Sequence, residues 1–189
     1  MATKEYTSIT NKYQTPKTIY RPILDFCGVK KFNIDVCCDD VNIPALEHFT
    51  FDGASRNWLI RWLPTTDHLI NFMNPPFDKT KIWLEKAFHE VLKNNNCEVW
   101  CVLPGDRLNN NYFTKRLNAN SNWFIAALRG RVNFINPALT DEENRINDKN
   151  GGYNKPIFIM YIGKNAAEYA QRWHREQPIK SIVMKGVFG

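Results

Sequence analysis

HLINFM (His68–Met73) runs directly into NPPF (Asn74–Phe77), and NPPF into a segment of helical character, Lys79–Lys93. The first piece is apolar and too short for a helix, which is the signature of a buried strand. Prolines at 75 and 76 have no backbone N–H to give to a sheet ladder, so the strand stops at Asn74. In the third piece the pairs Trp83/Leu84, Ala87/Phe88 and Val91/Leu92 recur every four residues, the spacing of one face of an amphipathic helix. A buried strand handed to a helix through a tight turn is half of a βαβ unit, and it sets the reading of the rest.

Outward from that unit the pattern repeats. FNIDVCC (Phe32–Cys38) and CEVWCVL (Cys97–Leu103) read as further buried strands, the second stopped by Pro104-Gly105. WFIAAL (Trp123–Leu128), RVNF (Arg131–Phe134) and PIFIMYI (Pro156–Ile162) read as later strands. Upstream, Thr15-Pro16 predicts a helix start, with the hydroxyl as cap and proline at the first helical position, running to a stop at Gly28. Pro22 inside it should kink or shorten it. Shorter helices are expected around Tyr112–Leu117 and over Asn165–Arg175. Strands alternating with helices predict an α/β fold with a mainly parallel sheet. Arg131–Phe134 and Pro156–Ile162 would form a late antiparallel pair around a long loop, 135–155, rich in Asn, Asp, Glu and Gly. Residues 1–12 are polar and expected to be flexible, and 13–189 to form a single domain.

Composition narrows the class. The 189 residues are 43% hydrophobic and 23% charged, ordinary for a globular chain, and no run approaches the roughly 20 apolar residues that span a bilayer. The N-terminus has no apolar core of the signal-peptide type, so a cytoplasmic protein with no membrane partner is expected. Five cysteines, an odd number without a C-x-x-C pair, read as free thiols in a reducing compartment. Four histidines without ligand spacing give no reason to expect a metal. Lys and Arg total 25 against 19 acids, a net charge of +6 that suits a polyanionic partner.

Asn74-Pro75-Pro76-Phe77 carries the chemistry. It lies past the carboxyl end of a strand, where open α/β sheets bind ligands. The exocyclic amine of adenine is a poor nucleophile because its lone pair is delocalised into the ring. Two acceptors holding its hydrogens would favour a pyramidal nitrogen with the lone pair free. The Asn74 side-chain oxygen is one such acceptor and the Pro75 carbonyl, held stiff by the prolines, the other. Phe77 offers a face on which an extruded base can stack. No strong general base is needed, and the contribution is positioning and preorganisation.

With these residues goes an ordered set: Tyr13-Gln-Thr15-Pro16, Ile34-Asp35 at a strand end, Phe51-Asp52-Gly53 with Trp58 downstream, Asn74–Phe77 with Trp83 in the next helix, Val102-Leu103-Pro104, and Gly130-Arg131-Val-Asn-Phe134. Over residues 13–163 the chain resembles the phage-type DNA N-6-adenine methyltransferases, the phage Dam family. The resemblance implies a single Rossmann-like class I methyltransferase domain using S-adenosyl-L-methionine and acting as a monomer on double-stranded DNA, in a host cytoplasm. By the same analogy Tyr13, Thr15, Pro16, Asp35, Asp52 and Asn74 contact the cofactor. Thr15 and Pro16 would lie near its methionine end, Asp35 at the tip of the first strand, and Asp52 near the adenosine. Asn74, Pro75, Pro76 and Phe77 are the implied catalytic set.

The chain departs from the general class I pattern after its first strand. Val36–Val41 contains no glycine, and the next one is Gly53. The motif ends in Phe where Tyr is common, and both rings stack. For DNA phosphates the candidates are Lys79, Lys81, Arg107 and Arg131, with Arg129 beside the last. Alternatives stay open: Asn-Pro-Pro-aromatic also serves methyl transfer to RNA adenine and to protein glutamine amides, and a chain of this kind that lost activity would be a DNA-binding protein.

Overall fold

A computed structural model of the chain describes residues 14–38, 41–49, 53–58, 68–149 and 155–184. The expected contacts Tyr13 and Asp52 lie outside them. Seven strands form one sheet: β1 (Phe32–Asp35), β2 (Ala45–His48), β3 (Leu69–Met73), β4 (Cys97–Pro104), β5 (Trp123–Leu128), β6 (Ile157–Ile162) and β7 (Ser181–Met184), in the order β2-β1-β3-β4-β6-β5-β7. Five helices accompany it: α1 (Lys17–Cys27), α2 (Thr80–Lys93), α3 (Asn111–Asn118), α4 (Asp141–Lys149) and α5 (Ala166–Glu176).

Alternation of side chains along the strands divides the core into two layers. On one face Ile70 and Phe72 of β3 with Trp100 and Val102 of β4 pack against Ile23, Leu24 and Phe26 of α1 and Ala170 and Trp173 of α5. On the other, Met73, Val99, Cys101 and Leu103 meet Trp83, Leu84, Ala87, Phe88 and Val91 of α2 and Phe113 of α3. Every residue of β3, β4 and β6 is therefore buried, which is why those stretches read as near-continuous apolar runs, interrupted only by Asn71 in β3 and Glu98 in β4. Beyond their buried area, the rings lock edge to face, with Phe26 and Trp173 centroids 5.1 Å apart.

The mainly parallel sheet holds for the first half only. β1·β2, β1·β3 and β3·β4 are parallel, whereas β4·β6, β5·β6 and β5·β7 are antiparallel. The expected antiparallel pair is also composed differently. Arg131–Phe134 is not a strand, although Val132 and Phe134 are buried and alternate with exposed Arg131 and Asn133. Both edges of β5 are taken, by β6 and β7, so the segment that follows has no place in the ladder. It runs instead to an isolated bridge, Gln14 with Ile135 (N···O 2.8 and 3.1 Å). The 135–155 segment contains a helix, α4, whose start is capped by Thr140 and Glu143. β2 and β7 escaped the sequence reading: each has four residues and only one of them buried, too little for a periodic signal.

Helix α1 corrects two expectations and confirms a third. Pro22 does not shorten it: the helix continues to Cys27, and the carbonyl that a proline at 22 deprives of its donor, that of Thr18, lies on the exposed first turn. Its N-cap is Pro16, with no side-chain cap bond, so Thr15 is not the cap. Gly28 ends it as read: φ is 70°, left-handed, and the Gly28 and Val29 N–H groups close back on Asp25 (3.1 Å) and Leu24 (3.0 Å).

Candidate active site

Strand order reverses between β1 and β3. From β1 the sheet grows outward through β2, and from β3 it grows the other way through β4. A reversal of this kind opens a crevice beyond the carboxyl ends of the two central strands. Asp35 is the last residue of β1 and is paired with Phe72 of β3, two residues before Asn74. The Val36 N–H donates to the Phe72 carbonyl at 3.0 Å, so the ladder holds both tips side by side.

At this crevice Thr15 does its work. It is 3% exposed, and its Oγ1 accepts a hydrogen bond from Asn74 Nδ2 at 2.9 Å. That bond fixes which end of the amide faces which way. Asn74 Oδ1 is then a buried acceptor with no partner among the described residues. Native structures leave few such atoms, because an unpaired buried polar group costs about 1–3 kcal/mol. An acceptor kept vacant at a strand-end crevice is one held for a ligand's donor. The turn behind it is stiff: the Lys79 N–H donates to the Pro76 carbonyl (2.9 Å) and Thr80 Oγ1 to the Phe77 carbonyl (2.8 Å). Pro75 is buried, and Pro76 and Phe77 are half-buried.

The Gln14–Ile135 bridge brings a third segment to the same place. Phe134 lies edge-on to Phe77, centroids 5.9 Å apart at 77°. Thr15-Pro16, Asn74–Phe77 and Arg131–Phe134, far apart in sequence, thus share one end of the sheet. Sequence reading quoted Phe134 without giving it a role, since nothing local signals its contact with Phe77.

Gly53, the first glycine after β1, packs on the loop that follows the strand. A Cβ on Gly53 would stand 1.9 Å from the Val36 carbonyl oxygen, so only glycine fits where this segment crosses the tip of β1. Trp58, fully buried, holds it there by donating from Nε1 to the Gly53 carbonyl at 2.8 Å. Asp35 beside it is 3% exposed, and its carboxylate meets the Cys37 N–H at 3.4 Å.

Lys79, Lys81 and Arg131 are exposed at this end of the molecule. Arg107 differs from them: it is half-buried and faces Asp106 (3.7 Å), itself bound by Lys155 (2.6 Å), and its Nε makes no hydrogen bond among the described residues. All five cysteines are free. Burial pushes Cys97 up to about 12 and Cys27 and Cys101 well above the ordinary thiol range, so none of these three is a ready nucleophile. Among the described residues no group of His, Cys, Asp or Glu is arranged to hold a metal, and no helix is long and apolar enough to cross a membrane.

Fold and site together define an α/β protein with a buried, unpartnered amide acceptor just past the end of β3, at the strand-order reversal. The sequence model of the DNA N-6-adenine-methyltransferase (Dam) family matches residues 2–170, and the chain belongs to that family. Membership makes DNA adenine methylation the activity of this fold. No curated protein and no solved structure matches the chain.

Proposed function

We propose that the chain, as one domain over 13–189, transfers a methyl group from S-adenosylmethionine to the exocyclic N6 amine of adenine in double-stranded DNA, at the crevice between β1 and β3. The observation that carries this reading is the Asn74 amide, tethered through Nδ2 to Thr15 with Oδ1 buried and vacant. An acceptor in that state is preorganised for one N–H of the amine, and the Pro75 carbonyl for the other. With its hydrogens held, the nitrogen turns its lone pair toward the methyl carbon. The new N–C bond forms as the C–S bond breaks, the electron pair stays on sulfur, and the amine's extra proton passes to solvent. Phe77 and Phe134 supply aromatic surface for a base extruded from the duplex.

S-adenosylmethionine, when bound, supplies an electrophilic methyl on a sulfonium that leaves as a neutral thioether. The crevice suits it by placing the buried Asp35 carboxylate at the tip of β1, beside the strand that ends at Asn74. Tyr13, Thr15, Pro16, Asp35, Asp52 and Asn74 are the residues assigned to it. The strand order supports a Rossmann-like class I arrangement. Lys79, Lys81, Arg107 and Arg131 are assigned to DNA phosphates.

The test is transfer of labelled methyl from S-adenosylmethionine to unmethylated duplex DNA, followed by digestion and separation of the nucleosides by mass. Label on N6-methyladenine is expected. Label on RNA adenine or on a protein glutamine amide, with none on DNA, would replace the acceptor. Neither label nor cofactor binding would leave a DNA-binding relative without activity.

A further inference from the structure

Because β5 runs parallel to β4, with β6 antiparallel to both, the end of β5 at Leu128 lies at the same end of the sheet as Asn74. β7 is antiparallel to β5 and starts there, with Leu128 opposite Ser181. The Arg129 N–H donates to the Lys180 carbonyl at 3.0 Å, joining the two loops. Gln177, at φ 45°, turns the chain out of α5. Its Oε1 accepts from the Ser181 N–H (3.2 Å) and its Nε2 donates to the His174 carbonyl (3.1 Å).

Two surface clefts adjoin here and share Arg129. One, of about 210 Å³, also takes in Thr18 and Arg131. The other, of about 560 Å³, takes in Lys180 and His174. Among the described residues no carboxylate lines either cleft. Glu176, next to Gln177 in the chain, is already engaged by Arg172 (2.9 Å) and faces Arg175 (3.8 Å). The track begins at the catalytic turn, since Phe134 touches Phe77 and the chain then leads back through Arg131 to Arg129. Five residues reach at most about 18 Å, so the first cations stand within about five nucleotides of the target base along one strand.

We infer that this edge of the sheet, from Arg131 through Arg129 to Lys180, is a track for the sugar-phosphate backbone of the duplex flanking the target adenine. It rests on the proposed function and adds where the DNA leaves the site: across the ends of β5 and β7, away from β1 and β2. The weight falls on Arg129 and Lys180: cations on clefts whose described lining holds no acid are the chemistry of phosphate contact, which positions a duplex without reading its sequence.

The experiment is a salt titration of duplex DNA binding by the full chain, wild type against Arg129→Gln/Lys180→Gln, with Lys93→Gln as control at the opposite end of the molecule. The double variant is expected to bind about tenfold or more weakly at moderate salt, and to lower the slope of log K against log salt by about two, one per lost phosphate contact. Arg129→Lys with Lys180 intact should recover the slope, and the thermal shift with S-adenosylmethionine should match wild type in every variant. Unchanged affinity and slope on duplex DNA, or a loss confined to RNA, overturns the track while leaving the proposed function standing. Wild-type protein that neither binds duplex DNA nor methylates it overturns both.

Discussion

Asn74 and Thr15 stand 59 residues apart in the chain and 2.9 Å apart at the site. The asparagine was legible, because a polar residue between a buried strand and two prolines has few structural reasons to be there. Its partner was misread. A threonine before a proline is the sequence pattern of a helix cap, and only the fold shows the hydroxyl turned toward Asn74. This yields a prediction for Thr15→Val, which keeps the shape and removes the acceptor. Asn74 Nδ2 would then be buried unpaired, at about 1–3 kcal/mol, and the amide would be free to turn over. Methyl transfer should fall by about 10–100-fold, since small misplacements at a reacting centre cost that much, and Thr15→Ser should restore most of it. Equal rates in Thr15→Val and wild type, measured in single turnover, would remove Thr15 from the mechanism. Asp35→Ala should act differently and weaken cofactor binding first, read as a smaller thermal shift with S-adenosylmethionine; an unchanged shift would move the pocket away from the β1 tip.

Among the elements, long strands buried on both faces announced themselves, and short edge strands did not. β6 is an unbroken apolar run, and β3 and β4 are broken only by Asn71 and Glu98, whereas β2 and β7 carry one buried residue each. Arg131–Phe134 shows the opposite error. Its alternation is that of a strand, but pairing is decided by which edges remain open, and a local pattern holds no record of that. The far end of the sheet carries a device that also crosses elements. Glu98 of β4, 1% exposed, accepts from Tyr161 Oη of β6 (2.8 Å) and from His68 Nε2 at the start of β3 (2.7 Å). The hydrogen bond to Glu98 raises the His68 pKa above its ordinary value, against a smaller opposing effect of burial. A raised pKa means that the folded state holds the proton more tightly than the unfolded chain. The contribution is complete below the ordinary histidine value, about 6.5, and is lost as pH climbs through the raised one. Thermal midpoints of wild type and His68→Gln should therefore converge as pH rises across that window. A gap between them that is constant with pH would contradict the pairing.

At the level of the whole molecule, the sheet is the instrument that collects the site. Residues near 15, 35, 74 and 134 meet because parallel strands β1 and β3 end together, and because the segment after β5, excluded from the sheet, crosses back to bridge Gln14. Alternating strands and helices made the α/β class and the position of Asn74 readable from sequence. Gly53 packing against the Val36 carbonyl, and Phe134 meeting Phe77, depend on contacts between distant segments and were not readable. The proposed mechanism requires that a vacant, tethered Asn74 carbonyl oxygen activate the adenine amine. Single-turnover methyl transfer by Asn74→Ala, at saturating S-adenosylmethionine and duplex DNA, addresses it most directly. A loss of about 100-fold or more is expected, the scale on which one preorganised hydrogen-bonding group matters, with the cofactor-induced thermal shift largely kept. N6-methyladenine formed within a few-fold of the wild-type rate would contradict it.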